Sequence, residues 1–351
     1  MNGSTTLPPN RVDRGGPAQP LLLVRGLKKH FPGRRRLFGR GREMVQAVDG
    51  VSFSLAKGAT LGVVGESGCG KSTTARLLLH LIRPDAGEII FDGEGVGESH
   101  GIAVRDLRLQ MQMVFQDSYS SLNPRATIAD IIAFGPRAAK HMHRRQSRER
   151  ATHLLEQVGL QPALYAHRYP HELSGGQRQR VNIARALALE PRLLILDEAV
   201  SALDKSVEAQ ILNLLFDLRR ELALTYIFIS HDLNVVRHVS DRVVVMYLGR
   251  IVEAGPAAVI FGEPRHPYTQ ALLRAMPSMD PDRRSTAPPL VGDPPNPIDP
   301  PSGCRFRTRC AFAEAVCAAV SPELGRVAGE HEVACHMMVP GSGHSRTGCG
   351  Q

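Results

Sequence analysis

The sequence predicts an α/β protein built around a mostly parallel sheet, and three features carry that prediction. Residues 65–72 read Gly-Glu-Ser-Gly-Cys-Gly-Lys-Ser between an apolar run at 61–64 and a helix-forming run at 74–81, the strand–loop–helix setting of a phosphate-binding loop. Residues 193–196, Leu-Leu-Ile-Leu, form a continuously apolar stretch that ends in Asp197 and Glu198, as a strand buried on both faces would. Around these two landmarks short apolar segments alternate with longer amphipathic ones, which implies a sheet covered by helices on both faces.

Taken in order, residues 1–20 read as a flexible leader. Residues 21–24 and 51–55 read as strands, the second alternating apolar and small polar side chains. Between them Arg34, Arg35, Arg36, Arg40 and Arg42 lie in a Gly-rich insertion expected as a long exposed hairpin loop. Strands follow at 87–92 and 111–116. Residues 125–160 carry helical periodicity with charged faces, as a small helical subdomain set into the core would. A helix is expected from 174 through Ala188, the buried strand at 193–196, a helix over 207–222, and strands at 226–230 and 242–247. Residues 277–303 hold nine prolines and read as a semi-rigid connector. Residues 304–338 form a compact cysteine-rich module, and the Gly/Ser-rich residues 339–351 a disordered tail.

Length and charge bound the function. The chain has 351 residues, enough for one large domain with an appendage. No stretch approaches the ~20 consecutive apolar residues of a membrane span, so membrane work needs partner chains. The N-terminus shows no apolar signal core, which argues for the cytosol as the expected location. Net charge is +9, but it is concentrated at Arg34–Arg42 and in residues 141–150, and the chain has no Trp and 5% aromatics. Stacking platforms for single-stranded nucleic acid are therefore scarce. A solvated basic loop near anionic headgroups fits that charge, and no nucleic-acid partner is expected.

The chemistry of the loop follows from its residues. Gly65, Gly68 and Gly70 let the backbone curl so that the amides around Glu66, Ser67, Cys69 and Thr73 face phosphate oxygens. The helix starting near Lys71 adds its positive end. Lys71 reaches β- and γ-phosphates, and the Ser72 hydroxyl can ligate Mg²⁺. Read by itself, the pattern also fits a plain Gly-rich turn. Further on, Leu173-Ser174-Gly175-Gly176-Gln177 places a second glycine-rich helix start with Ser174 as N-cap. Asp197 ends an apolar strand where it can hold Mg²⁺ through water, and Glu198 beside it can polarise an attacking water.

With Leu-Ser-Gly-Gly-Gln in this place, residues 21–277 resemble the nucleotide-binding subunit of an ABC transporter. The resemblance implies the P-loop NTPase fold of ABC ATPases, a RecA-like core with an antiparallel β subdomain and an inserted helical subdomain at about 122–180, plus the small Cys-rich extension. It implies Walker A at Gly65–Ser72, the Q-loop glutamine at Gln116, Walker B at Asp197 and the base at Glu198. It further implies a D-loop through Asp204, the switch histidine at His231, and an adenine-stacking ring at Phe31. Gln116 would join Ser72 and Asp197 around Mg²⁺. Each has a plainer reading: Gln116 as a strand-end amide, His231 as a helix cap, Phe31 as core, and Cys69 as an inert thiol. ATP would be sandwiched between one subunit's P-loop and the partner's Ser174, Gly175, Gly176, Gln177 and Asp204.

Outside those motifs, residues 120–125 (Ser-Ser-Leu-Asn-Pro-Arg), 168–172 (Arg-Tyr-Pro-His-Glu) and 266–269 (His-Pro-Tyr-Thr) resemble the ATPases of dipeptide and oligopeptide importers. This implies a second ATPase subunit, identical or similar, two membrane permeases, an extracytoplasmic peptide-binding protein, and a peripheral place on the cytoplasmic face of the inner membrane. Nickel and glutathione importers share the extension and stay open as alternatives, as does a soluble ABC ATPase acting on nucleic acid or ribosomes. Lys205 departs from the small or apolar residue usual after the D-loop.

Cys304, Cys310, Cys317 and Cys335 remain. In an oxidising compartment they would suggest two disulfides; reduced, they suit metal ligation. Their spacing lacks a C-x-x-C knuckle, and four thiolates suit Zn²⁺ or a 4Fe–4S cluster. The resemblance implies the cluster. A small thiol-bearing fold without metal is the plain alternative.

Overall fold

The computed structural model describes residues 15–16, 18–35, 42–117, 119–276 and 296–347. Arg36, Arg40, most of the expected leader, residues 277–295 of the connector, and Cys349 lie outside the described residues. In chain order the elements begin with β1 (Leu22–Arg35), β2 (Arg42–Leu55), β3 (Thr60–Val64), α1 (Lys71–Leu78), β4 (Ala86–Phe91), β5 (Glu94–Gly95), α2 (Val104–Gln110) and β6 (Met111–Val114). The helices α3 (Ile128–Lys140), α4 (Arg144–Gln157), α5 (Pro162–Tyr165) and α6 (Gly175–Leu187) follow. Then come β7 (Leu193–Asp197), α7 (Lys205–Leu222), β8 (Thr225–Ile229), α8 (Leu233–Val239), β9 (Arg242–Tyr247) and β10 (Arg250–Pro256). The chain closes with α9 (Ala257–Gly262), α10 (Pro267–Arg274), α11 (Ala315–Ala319), β11 (Gly325–Ala328) and β12 (His331–Val333).

These residues form two compact units. The first comprises residues 54–60 and 90–229 with the N-terminal stretch to Leu23. Its centre is the parallel ladder β6–β7–β8, with Met113 opposite Ile195 and Ile195 opposite Ile227. Every residue of β7 and β8 is buried, which is why these strands read as unbroken apolar runs rather than alternating ones. The Tyr226 hydroxyl donates to Leu215 O in α7 at 2.9 Å, tying that helix to β8. The stretch expected as a helical subdomain, about 122–180, holds α3, α4, α5 and the first turns of α6, which runs on to Leu187. Thr127 caps α3, accepting from Asp130 N–H, and Lys140 and Arg150 both reach Glu190, at 3.0 and 2.6 Å.

The second unit comprises residues 24–53, 61–89 and 230 onward. Here β9 runs parallel to β3 (Val63 opposite Val244), while β10 is antiparallel to β9, β12 to β10 and β11 to β12. The sheet is therefore mixed.

Three expectations change. The Arg/Gly-rich insertion is strand as far as Arg35 and again from Arg42, because a backbone ladder does not need apolar side chains to continue. The cysteine-rich region is not a body set apart by a connector. Ala334 N–H donates to Val252 O at 2.8 Å as β12 extends the sheet, and Gln46 N–H donates to Pro297 O at 3.0 Å. The tail is ordered through residue 347: His344 is buried and bonds Phe312 O through Nε2, and Ser345 N–H donates to Glu314. One buried imidazole and a short acidic contact anchor a segment whose composition reads as loose.

Among the described residues no helix is long and apolar enough to cross a membrane.

Candidate functional site

In the second unit the phosphate-loop motif has its expected local form. Strand β3 is buried throughout, and α1 starts at Lys71 with Gly70 before it at φ 108°. Gly65 and Gly70 both sit at positive φ, and a Cβ on them would meet Met246 O at 2.2 Å and Ala47 O at 2.3 Å. Only glycine fits either position. Lys71 is buried, and its ammonium donates to Gly65 O at 2.7 Å and Glu66 O at 2.9 Å. The cation is thus folded onto the loop's own carbonyls. Cys69 lies beneath, its Sγ 3.8 Å from Lys71 Nζ. Burial pushes its thiol up, consistent with an inert side chain. Ser67 and Gly68 are exposed, while Ser72 and Thr73 are half-buried in the first turn of α1.

The loop's second residue departs from the expectation that its amides face phosphate. Glu66 N–H donates to the Tyr268 hydroxyl at 2.8 Å, and its carboxylate forms a two-pronged pair with Arg309, at 2.8 and 3.0 Å. His266 caps α10 by accepting Tyr268 N–H on Nδ1, and Pro267 starts the helix. Tyr268 packs in a cluster with Tyr247, 4.6 Å between ring centres, and Phe306, at 5.5 Å. Sequence reasoning treats the His-Pro-Tyr stretch as a family marker and misses both Tyr268 and Arg309 as loop supports. The signal was a buried-type tyrosine at a helix start; Arg309, far along the chain, carried none.

In the first unit, Gln116 Nε2 donates to Glu198 Oε2 at 2.7 Å. Adjacent parallel strands β6 and β7 end side by side and deliver these two residues to one place. Asp197 is buried at the end of β7. Glu198 N–H donates to Ile229 O at 2.9 Å, and this holds Glu198 at φ 49°, a left-handed conformation that costs a non-glycine residue about 1 kcal/mol or more. Ser201 N–H and Oγ–H both donate to Glu198 O. Asp204 precedes α7 and is exposed, and Lys205 pairs with Glu208 at 3.0 Å.

Ser174 caps α6 as expected. Its Oγ accepts Gln177 N–H, and Gln177 Oε1 accepts Ser174 N–H at 3.0 Å, a closed capping box. Gln177 Nε2 also donates to the Tyr165 hydroxyl. The second glycine has a reason beyond amide access: a Cβ on Gly176 would lie 2.5 Å from Val207 Cγ1, while one on Gly175 would only touch Leu203 at 3.6 Å.

Two expected residues are placed less tellingly. Phe31 is half-buried in β1 with Lys29 Nζ 5.6 Å from its ring centre. His231 does not end a strand. β8 stops at Ile229, His231 lies exposed in the turn beyond, and the helix cap is Asp232, which accepts from Asn234 and Val235 N–H.

Cys304, Cys310, Cys317 and Cys335 are free thiols. Among the described residues no group of three or more His, Cys, Asp or Glu side chains could hold a metal ion, so a formed site is found neither for the expected 4Fe–4S cluster nor for its zinc alternative. The thiols nevertheless stand within electrostatic reach of one another. Burial pushes Cys304 up to about 11 and Cys335 up to about 12, and the neighbouring thiols add to both shifts. Backbone amides of Phe306, Phe312 and Met337 oppose this at Cys304, Cys310 and Cys335.

Residues 48–201 match the family model "ABC transporter", and residues 252–317 match "Oligopeptide/dipeptide transporter, C-terminal region". The chain is 52% identical over 320 residues to a probable peptide ABC transporter ATP-binding protein of Sinorhizobium fredii, covering 91% of this chain and 90% of the relative. It is 49% identical to an oligopeptide transport ATP-binding protein of Bacillus subtilis (91% and 98% covered) and to a dipeptide transport ATP-binding protein of Escherichia coli (90% and 94%). Among solved structures it resembles CbiO1 of Clostridium perfringens, part of the ABC transporter complex CbiONQ. The TM-score there is 0.58 at 28% identity, covering 70% of this chain and 91% of that one. The chain belongs to the ATP-binding proteins of ABC transporters, in the branch that carries the oligopeptide/dipeptide C-terminal region.

Proposed function

We propose that this chain is the ATP-hydrolysing subunit that energises import of dipeptides or oligopeptides through an ABC transporter. One observation carries the ATPase reading: Lys71 is buried, yet its ammonium meets neutral carbonyl oxygens of its own loop. A buried cation calls for an anion, and the β/γ-phosphates of ATP would supply it. The peptide substrate rests on the relatives named for peptide, oligopeptide and dipeptide transport.

In this reading the amides past Glu66 and the start of α1 bind the triphosphate, and Phe31 stacks on adenine. Ser72, Gln116 and Asp197 offer a hydroxyl, an amide and a buried carboxylate, a set of oxygen donors suited to Mg²⁺. The ion, when bound, neutralises charge building on the phosphates. Glu198 accepts the proton of the attacking water, with His231 assisting at the γ-phosphate. Ser174, Gly175, Gly176, Gln177 and Asp204 of one subunit close over ATP held by the other. Two such ATPase subunits drive two permeases at the cytoplasmic face of the membrane, fed by an extracytoplasmic peptide-binding protein.

For the cysteine region we infer a 4Fe–4S cluster held by Cys304, Cys310, Cys317 and Cys335. What supports it is the donor set alone: Cys304, Cys310, Cys317 and Cys335 are all free thiols, the number such a cluster takes, although the structure does not gather three of them into a metal site.

The test is uptake of a labelled dipeptide by vesicles holding this chain, its partner ATPase and the permeases. Uptake should require ATP and vanish with Lys71→Ala. Uptake of nickel or glutathione in place of peptide would overturn the substrate, and ATP-independent uptake the motor.

A further inference from the structure

The phosphate-binding loop holds one acidic residue, Glu66, in a place built to receive a polyanion. Left unpaired there, a carboxylate repels the ligand. The chain answers with Arg309, which grips both Glu66 oxygens, at 2.8 and 3.0 Å. The Arg309 side chain is 5% exposed and that of Glu66 21%. Arg309 also reaches the Tyr247 hydroxyl at 3.5 Å, and Tyr268 takes the Glu66 amide. On the loop's other side, Glu66 O receives the Lys71 ammonium at 2.9 Å. A continuous line of contacts therefore runs from Arg309 through Glu66 to Lys71. A pair this buried adds little net stability compared with apolar packing, so its value lies elsewhere.

We propose that Arg309 is a positioning residue for nucleotide binding: by pairing with Glu66 it cancels that carboxylate's charge, so that the loop presents Lys71 to phosphate with no opposing anion beside it. The proposal rests on the reading that this loop binds ATP.

The test measures MgATP affinity of the full-length chain by calorimetric titration, with thermal unfolding of each variant as a separate check of folding. Lys71→Ala should abolish binding. Arg309→Met should weaken it about tenfold, the scale of one unpaired charge near a polyanion. Glu66→Gln should bind MgATP at least as tightly as the native chain, and the double variant should regain most of the affinity lost with Arg309→Met. A purely architectural Arg309 predicts the opposite: Glu66→Gln would weaken binding, and the double variant would stay as weak as Arg309→Met. Either result overturns the proposal, as does unchanged affinity in Arg309→Met. Should that variant fail to fold, Glu66→Gln decides by the same sign. A native chain that binds no MgATP, or binds it without Lys71, overturns the nucleotide reading and this proposal with it.

Discussion

Gln116 holds Glu198: its amide donates across 2.7 Å to the carboxylate just past the end of β7. The carboxylate is thereby kept oriented while Ile229 O and Ser201 fix its backbone. Glu198→Gln should therefore leave MgATP binding intact and slow phosphate release about 10²–10⁴-fold, the range of a general-base contribution. Steady-state phosphate release beside equilibrium binding checks this; near-native turnover would remove Glu198 from the role of base.

Gly176→Ala tests why the second glycine of the Leu-Ser-Gly-Gly-Gln run is there. The new methyl would stand 2.5 Å from Val207 Cγ1, and overpacking of this kind costs about 1–3 kcal/mol, more than alanine returns through helix propensity. Urea unfolding should show the loss, and Val207→Ala added to it should restore much of the stability. No rescue would mean that the clash is absorbed elsewhere.

Acid should loosen the second unit through His266. Burial lowers its pKa from 6.5 to about 4, although the nearby Glu253 carboxylate pulls the other way. The folded chain then keeps His266 neutral while the unfolded chain protonates near 6.5. Stability is complete above about 6.5 and falls as pH drops toward about 4. Thermal midpoints taken through that window should decline, and His266→Asn, which keeps an N-cap oxygen, should flatten the slope.

Anaerobically purified chain should carry a visible iron–sulfur chromophore with matching iron and sulfide content, reduced in Cys317→Ser. Stoichiometric zinc or a colourless, metal-free chain would refute the cluster.

Much of this molecule was legible because its signals are local. The P-loop, the capping box at Ser174 and the buried β7 each announce themselves within a few residues through glycine freedom, cap chemistry or apolar runs. What could not be read came from distant pairing. Nothing near Arg309 says that it will meet Glu66, nothing near Val333 that it will lie opposite Glu253, and the strain at Glu198 arises from a bond to Ile229 in the next strand. The tail through His344 shows the same limit, since a single buried imidazole outweighs its loose composition.

The bond from Ala334 to Val252 carries a warning for anyone shortening this protein. Cutting the chain after α10 would strip β12 away and leave β10 an open margin of unpaired amides and carbonyls. Such margins recruit other strands, so a trimmed chain should aggregate edge to edge more readily than the intact one.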